Sequence, residues 1–87
     1  MPGVARIDQD TAGGTIVGVL VPSVLVNGTP VAVVGAEVAP HGIGLHAAPF
    51  MAEGSGTVTA GGIAVCRAGD AANCGHLATG SGDVSAN

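Results

Sequence analysis

The stretch VNGTPVAVVGAE, residues Val26–Glu37, aligns with AGGIAVCRAGDA, residues Ala60–Ala71, at an offset of 34 residues. The segments that precede them, PSVLVNG from Pro22 and GTVTAGG from Gly56, match at the same offset. Short runs of Val, Ile, Thr and Ala on either side of Asn-Gly or Gly-Gly are typical of β-hairpins with two-residue turns. The repeated unit is therefore a strand, a Gly turn, a second strand that ends near Gly-Asp, and a loop.

A third copy lies at the N-terminus, where GVARIDQ from Gly3 aligns with PVAVVGA from Pro30. The last residues, SGDVSAN from Ser81, resemble SGTVTAG from Ser55. One copy is too small to bury its own apolar face, whereas three copies packed together can share a core. We expect one all-β domain over residues 1–87, made of short strands from three degenerate repeats whose cores lie near residues 3–9, 30–36 and 64–70.

Composition limits the size of this core. The chain has 87 residues, of which 16 are Gly and 5 are Pro, and no helical period of apolar residues is sustained. Its aliphatic residues are mostly Val and Ala, and Phe50, the one aromatic residue, is the one candidate for a buried ring. Hydrophobic burial in so short a chain leaves little surplus over the entropy of ordering it. We therefore expect a staple, which is a metal, a disulfide or a partner.

Charge is sparse, with two arginines against six carboxylates and a formal net charge of −4. This balance excludes a protein that binds nucleic acid or anionic membrane surfaces, because both need basic groups. The start of the chain lacks the basic and apolar regions of a signal peptide. The longest apolar stretch, Ile16–Val26, is about half the length of a membrane-spanning helix. We expect a soluble protein made in the cytoplasm without a signal peptide.

The three histidines and one of the two cysteines fall into two clusters. His41 and His46 follow the second repeat core, and Cys74 and His76 follow the third, so two equivalent loops each carry two candidate ligands. Zinc prefers four nitrogen or sulfur ligands in a tetrahedron. The sequence thus predicts one zinc site made by three His and one Cys, with iron as the second choice.

The other cysteine, Cys66, aligns with Ala5 and Ala32, which indicates a small buried position. A disulfide between Cys66 and Cys74 is the alternative, but a Cys near His in a reducing compartment is more typical of a metal ligand. Four protein ligands leave no open position for a catalytic water. The chain also shows no Ser-His-Asp order and no phosphate-binding loop. We therefore expect that the protein is not an enzyme.

These residues resemble the PAAR-repeat family, whose core reads Pro-Ala-Ala-Arg, any residue, then Gly-Asp, usually after Asn-Gly. The second copy is similar through Pro30, Ala32 and Gly35, the third through Arg67, Gly69 and Asp70, and the first through Arg6. The CGH that follows Gly-Asp in GDAANCGH is also similar to the family. The similarity covers nearly the whole chain, although no copy has all four letters of the name.

The resemblance implies a small cone with approximate threefold internal symmetry. Its base would sit on the blunt end of a trimeric β-helical spike, VgrG-like or the phage tail-spike equivalent, with one cap per trimer. It implies a metal near the apex, generally zinc, at the matching positions His41, His46, Cys74 and His76.

The same resemblance implies a place at the tip of a contractile injection system, which is either a phage tail with its baseplate or a bacterial type VI secretion machine. There the cap would sharpen the spike and contact a target membrane transiently during piercing. The length leaves no room for a toxin domain, so we expect a bare tip. The apolar segments Val19–Val26 and Thr57–Ala60 are candidates for the docking base.

Two other functions fit parts of the pattern. A free-standing zinc-binding β module that recruits an unrelated protein shares the fold and the metal, and a binding experiment with a spike separates it from a tip. A small metal hydrolase requires an open coordination position, which a bound, exchangeable water would reveal.

Overall fold

Short antiparallel hairpins form the structure, a computed structural model that describes residues 1–87. β1 (Thr11–Ala12) pairs with β2 (Gly14–Thr15), β3 (Leu25–Val26) with β4 (Thr29–Pro30), and β5 (Thr59–Ala60) with β6 (Ile63–Ala64). The helical segment is a single 3₁₀ turn at Gly44–His46. The expected all-β fold of short strands is confirmed.

The turns of two hairpins have the same backbone conformation. Asn27 and Gly28 have φ angles of 54° and 82°, and Gly61 and Gly62 have φ angles of 58° and 81°. Two successive positive φ angles define the type I′ turn, whose twist matches that of paired strands. The turn residues of the two aligned sequences therefore have the same structural role.

The three repeat cores meet in a ring of backbone hydrogen bonds, which we call the central ring. The amide of Ala5 donates to the carbonyl of Cys66 (2.9 Å), Cys66 donates to Ala32 (2.9 Å), and Ala32 donates to Ala5 (3.0 Å). The isolated pairings Val4–Arg67, Arg6–Val31 and Val33–Val65 follow the same cyclic order. Equivalent residues of the three repeats are thus related by approximate threefold symmetry within one chain.

A tight turn ends each repeat core, and the three turns share one backbone hydrogen bond. It runs from Asp10 to Arg6 (3.1 Å), from Ala36 to Val33 (3.0 Å) and from Asp70 to Arg67 (2.9 Å). The turn of the first repeat is one residue longer, so Asp10 takes the place that the alignment gives to Gln9. Its carboxylate lies 2.8 Å from Arg6 Nε, just as the Asp70 carboxylate lies 2.9 Å from Arg67 Nε. In the second repeat buried Val33 and Ala36 replace the ion pair.

Apolar side chains pack in two clusters, one on each face of the central ring. Ala5, Ala32 and Cys66 belong to the first cluster, whereas the preceding residues Val4, Val31 and Val65 belong to the second. Neighbouring residues of an extended strand point to opposite faces, which explains this division. Phe50 is 46% exposed, so the candidate for a buried ring is wrong. The core is built from aliphatic side chains, Met51 and Cys66.

Three loops extend from the face of the first cluster, and we call them the apical loops. They span residues 11–15, 37–50 and 71–77, and the pairings Thr11–Thr15, Glu37–Phe50 and Ala71–Leu77 close them. The other face carries the basal hairpins, which are β3–β4, β5–β6 and the paired chain ends around Gly3–Ser85. The molecule extends over 32 × 23 × 22 Å.

Candidate metal centre

The two longer apical loops place the predicted ligands. In the second repeat the amide of His41 donates to the carbonyl of His46 (2.9 Å), so the 3₁₀ turn folds the loop back and brings both rings to one side. In the third repeat the amide of Ala72 donates to the carbonyl of His76 (2.9 Å). Gly75, with φ of 93°, allows the reversal between Cys74 and His76.

The structure brings all four predicted ligands together. The four candidate ligand atoms all lie within 4.8 Å of one another. They are one ring nitrogen each of His41, His46 and His76, and the Sγ of Cys74. His41 Nε2 is 3.1 Å from His46 Nδ1 and 3.5 Å from Cys74 Sγ. Zinc bonds of about 2.0 Å to nitrogen and about 2.3 Å to sulfur give tetrahedral edges of roughly 3.3 Å between two nitrogens and 3.5 Å between nitrogen and sulfur. These two separations therefore match the edges of a zinc tetrahedron.

A hydrogen bond fixes the ring of His41. Its Nδ1 lies 3.0 Å from the carbonyl oxygen of Ala39, which can only accept a hydrogen bond. Nδ1 therefore carries the proton and donates, and Nε2 is left with a lone pair that faces His46 and Cys74. A second-shell carbonyl of this kind sets the tautomer of a metal-binding imidazole and its orientation.

The three imidazole rings form a compact triangle. Their centroids are 4.7 Å apart for His41 and His76, 4.9 Å for His46 and His76, and 5.0 Å for His41 and His46. The rings of His41 and His76 are stacked, with an interplanar angle of 21°. Three rings with converging nitrogens and a thiol, without a carboxylate, are the donor set of a zinc or similar transition-metal ion rather than of calcium or magnesium. The cluster could therefore hold a metal ion.

Cys66 lies away from this cluster. It is fully buried in the central ring, and its Sγ donates to the carbonyl of Glu53 at 3.4 Å. Burial raises the pKa of the Cys66 thiol to about 12, so it stays protonated at neutral pH. This confirms the small buried position that the alignment with Ala5 and Ala32 predicts. Both cysteines are free, and the alternative of a disulfide between them is wrong.

The comparison with protein families agrees with this geometry. A family model described as the PAAR motif matches residues 8–83. The chain belongs to the PAAR-motif family. No curated protein sequence matched the chain. The PAAR motif places it in a family of spike-tip adaptors that interact with a spike protein and bind metal.

The structure shows the roles of two residues, Asp10 and Gly13, that the alignment of the repeats did not identify. Asp10 is the aspartate of the first motif, hidden because that turn has one extra residue. Gly13, in the shortest apical loop, lies against the His41 and His76 rings, although nothing in the sequence sets it apart from the other 15 glycines. No helix of this PAAR protein is long and apolar enough to span a membrane.

Proposed function

We propose that this PAAR protein caps the blunt end of a trimeric β-helical spike, with one cap per three spike chains. The spike would be VgrG-like or the equivalent of a phage tail, and the cap would sharpen the tip of a phage tail or type VI secretion machine. The observation that carries the proposal is the cyclic set of hydrogen bonds among Ala5, Ala32 and Cys66. A single chain with three equivalent faces can match a threefold spike end while its other end comes to a point.

The basal hairpins are the proposed docking side. A trimeric β-helix ends in strand edges that need cover, and three short hairpins around a threefold axis can supply it. Leu25 in β3 is 57% exposed, and its neighbours Leu20 and Val24 are 49% and 38% exposed. These residues lie in the apolar segment Val19–Val26, which supports a role for that segment in docking.

Zinc at the apex is part of the same proposal. Where the apical loops converge there is little room for a hydrophobic core, and a tetrahedral ion can hold them instead. Structural zinc contributes on the order of 10 kcal/mol or more of binding free energy that is also folding free energy. Four protein ligands leave no position for a catalytic water, so we propose a structural role for the metal and no enzymatic activity. During piercing the apex would touch a target membrane only transiently.

Binding to purified trimeric spike tests the capping role. We expect a complex of one cap and three spike chains by native mass spectrometry. Leu25→Asp on the basal side should weaken it at least about tenfold, because a buried unpaired charge is costly at an interface. Ile43→Asp, at an apical residue that is 88% exposed, is the matched control and should bind normally.

Two results would contradict the proposal. If wild-type protein does not bind the spike at micromolar concentration, the protein is better described as a free-standing zinc-binding β module. If the cobalt-substituted protein has a spectrum that shows a bound, exchangeable water, the site is open and a hydrolase becomes the better description.

A further inference from the structure

The three apical loops do not contribute equally to the metal centre. The loops at 37–50 and 71–77 carry two candidate ligands each, whereas the loop at 11–15 carries none. Only Gly13 stands between the paired residues Ala12 and Gly14 at the tip of this loop. The backbone of the first repeat nevertheless reaches the cluster.

Gly13 lies so close to the imidazoles that no side chain fits there. A Cβ atom at Gly13 would overlap Nδ1 of His76, and it would lie 2.6 Å from Nε2 of His41 and 2.7 Å from Cγ of His76. A Cβ atom in a protein essentially never approaches a non-bonded heavy atom within 3.0 Å, so the two imidazole rings would have to move. His41 Nε2 is the atom whose lone pair faces His46 and Cys74, so this movement would displace a proposed ligand.

Gly14 leaves room for the imidazole of His41 near its other nitrogen, Nδ1. A Cβ atom there would overlap the carbonyl oxygen of Ala39 and lie 3.0 Å from Nδ1 of His41. That carbonyl is the acceptor that fixes the tautomer of His41. Both glycines of the loop therefore leave room for the imidazole of His41 in the position and tautomer that it has.

We propose that Gly13 is a positioning residue of the metal centre, through which the first repeat completes a site whose ligands come from the other two. Its bare backbone forms the wall against which the stacked rings of His41 and His76 rest. The inference rests on the proposed zinc site and adds a requirement for a residue that binds no metal itself.

The test compares two alanine variants with nearly equal backbone strain. Gly13 has φ of 85° and Gly28 has φ of 82°, but a Cβ atom at Gly28 would meet nothing within 4 Å. Zinc affinity is measured by competition with a chromophoric chelator at neutral pH, and folding by far-UV circular dichroism. Since the loss of a group that orients ligands weakens metal sites by about 10–100-fold, we expect Gly13→Ala to lose at least about tenfold and Gly28→Ala to bind like wild type.

A Gly13→Ala affinity within a factor of two of that of Gly28→Ala would overturn the proposal. If Gly13→Ala fails to fold, the triple variant that adds His41→Ala and His76→Ala decides, because both clashing rings are then absent. Folding of the triple variant to the extent of the His41→Ala/His76→Ala double variant supports the proposal, and failure to do so overturns it. Absence of zinc from wild-type protein would remove the metal centre and this role together. Spike binding by wild-type protein tests capping separately.

Discussion

Gly3 pairs with Ser85 across the two ends of the chain, in the position where Leu25 pairs with Pro30 and Thr59 pairs with Ala64. The amide of Ala86 donates to the carbonyl of Pro2 (3.0 Å), so the pairing continues to the last residues. The chain ends therefore form the third basal hairpin. Asn87 and Met1 occupy the places of the turn residues Asn27 and Gly28.

Joining the two ends should stabilise the protein. A peptide bond from Asn87 to residue 1, with Met1→Gly to supply an Asn-Gly turn, completes a hairpin like that at Asn27-Gly28. Closing a loop of this length removes entropy from the unfolded chain and stabilises the fold by up to about 4.6 kcal/mol in the chain-entropy model. Chemical denaturation of the cyclic protein measures this. The linear Met1→Gly chain is the control, and equal midpoints would show that the ends do not form a hairpin.

Removal of the metal should lower thermal stability. We expect one metal ion per chain by elemental analysis, and a drop in Tm of at least about 10 °C with a strong chelator, since a ligand that binds only the folded state stabilises it. His76→Ala should release the metal and melt at the lower temperature.

Cys66→Ala should keep the metal and lower the free energy of unfolding by only about 1 kcal/mol, because the equivalent positions of the central ring already carry Ala. Metal loss from Cys66→Ala but not from Cys74→Ala would reverse the assignment of the two cysteines.

The two thiols should react with iodoacetamide in a fixed order. With metal bound, neither thiol should be labelled at pH 8. After chelation, at a temperature where circular dichroism shows the protein still folded, Cys74 should react. Cys66 should not, because it is fully buried and a pKa of about 12 leaves about 10⁻⁴ of it ionised at that pH. Mass spectrometry of digested protein counts the labels, and both thiols should react in guanidinium. Labelling of Cys66 in the folded protein would contradict its place in the central ring.

The ion pair of Arg6 and Asp10 should make stability depend on pH. Burial raises the pKa of Asp10, but the hydrogen bonds from Arg6 and Thr79 outweigh this effect, and the pKa is lower than the ordinary 3.8. A lowered pKa in the folded state stabilises the fold above about pH 4, and this contribution is lost as the pH falls through the folded pKa. Asp10→Asn should therefore cost about 1–3 kcal/mol at neutral pH.

The measurement for Asp10 is the free energy of unfolding in urea from neutral to acidic pH. The difference between wild type and Asp10→Asn should shrink as the pH falls below 3.8 and through the lower pKa that Asp10 has in the folded state. Release of metal in acid affects both proteins alike and cancels in the difference. Asp8→Asn, at an exposed residue of the same turn, is the control for the change in net charge. A difference that stays constant with pH would show that the carboxylate of Asp10 does not stabilise the turn through its charge.

The positions of many small residues could be predicted from local pattern. Asn27-Gly28 and Gly61-Gly62 predict hairpin turns because positive φ angles favour these residues. Ala5, Ala32 and Cys66 predict a shared buried site because all three are small. His41, His46, Cys74 and His76 could be grouped because equivalent loops of a repeat end in the same place.

Other features do not follow from pattern. The extra residue in the turn after Arg6 shifts Asp10 out of the alignment, and only the hydrogen bonds of the turn reveal its equivalence to Asp70. Phe50 is the largest apolar residue by type, yet it lies half exposed where it pairs with Glu37 at the end of an apical loop.

The sequence by itself determined the repeat, the strand-turn-strand unit and the set of candidate ligands, since these depend on residue type at fixed spacing. The tertiary structure alone decided how the copies close. Whether three repeats form a row or a ring depends on contacts between residues distant in sequence, such as the backbone hydrogen bond from the amide of Ala5 to the carbonyl of Cys66. For the same reason only the structure shows that Gly3 meets Ser85 and that Gly13 lies against His76, because these contacts join parts of the chain with no local signal in common.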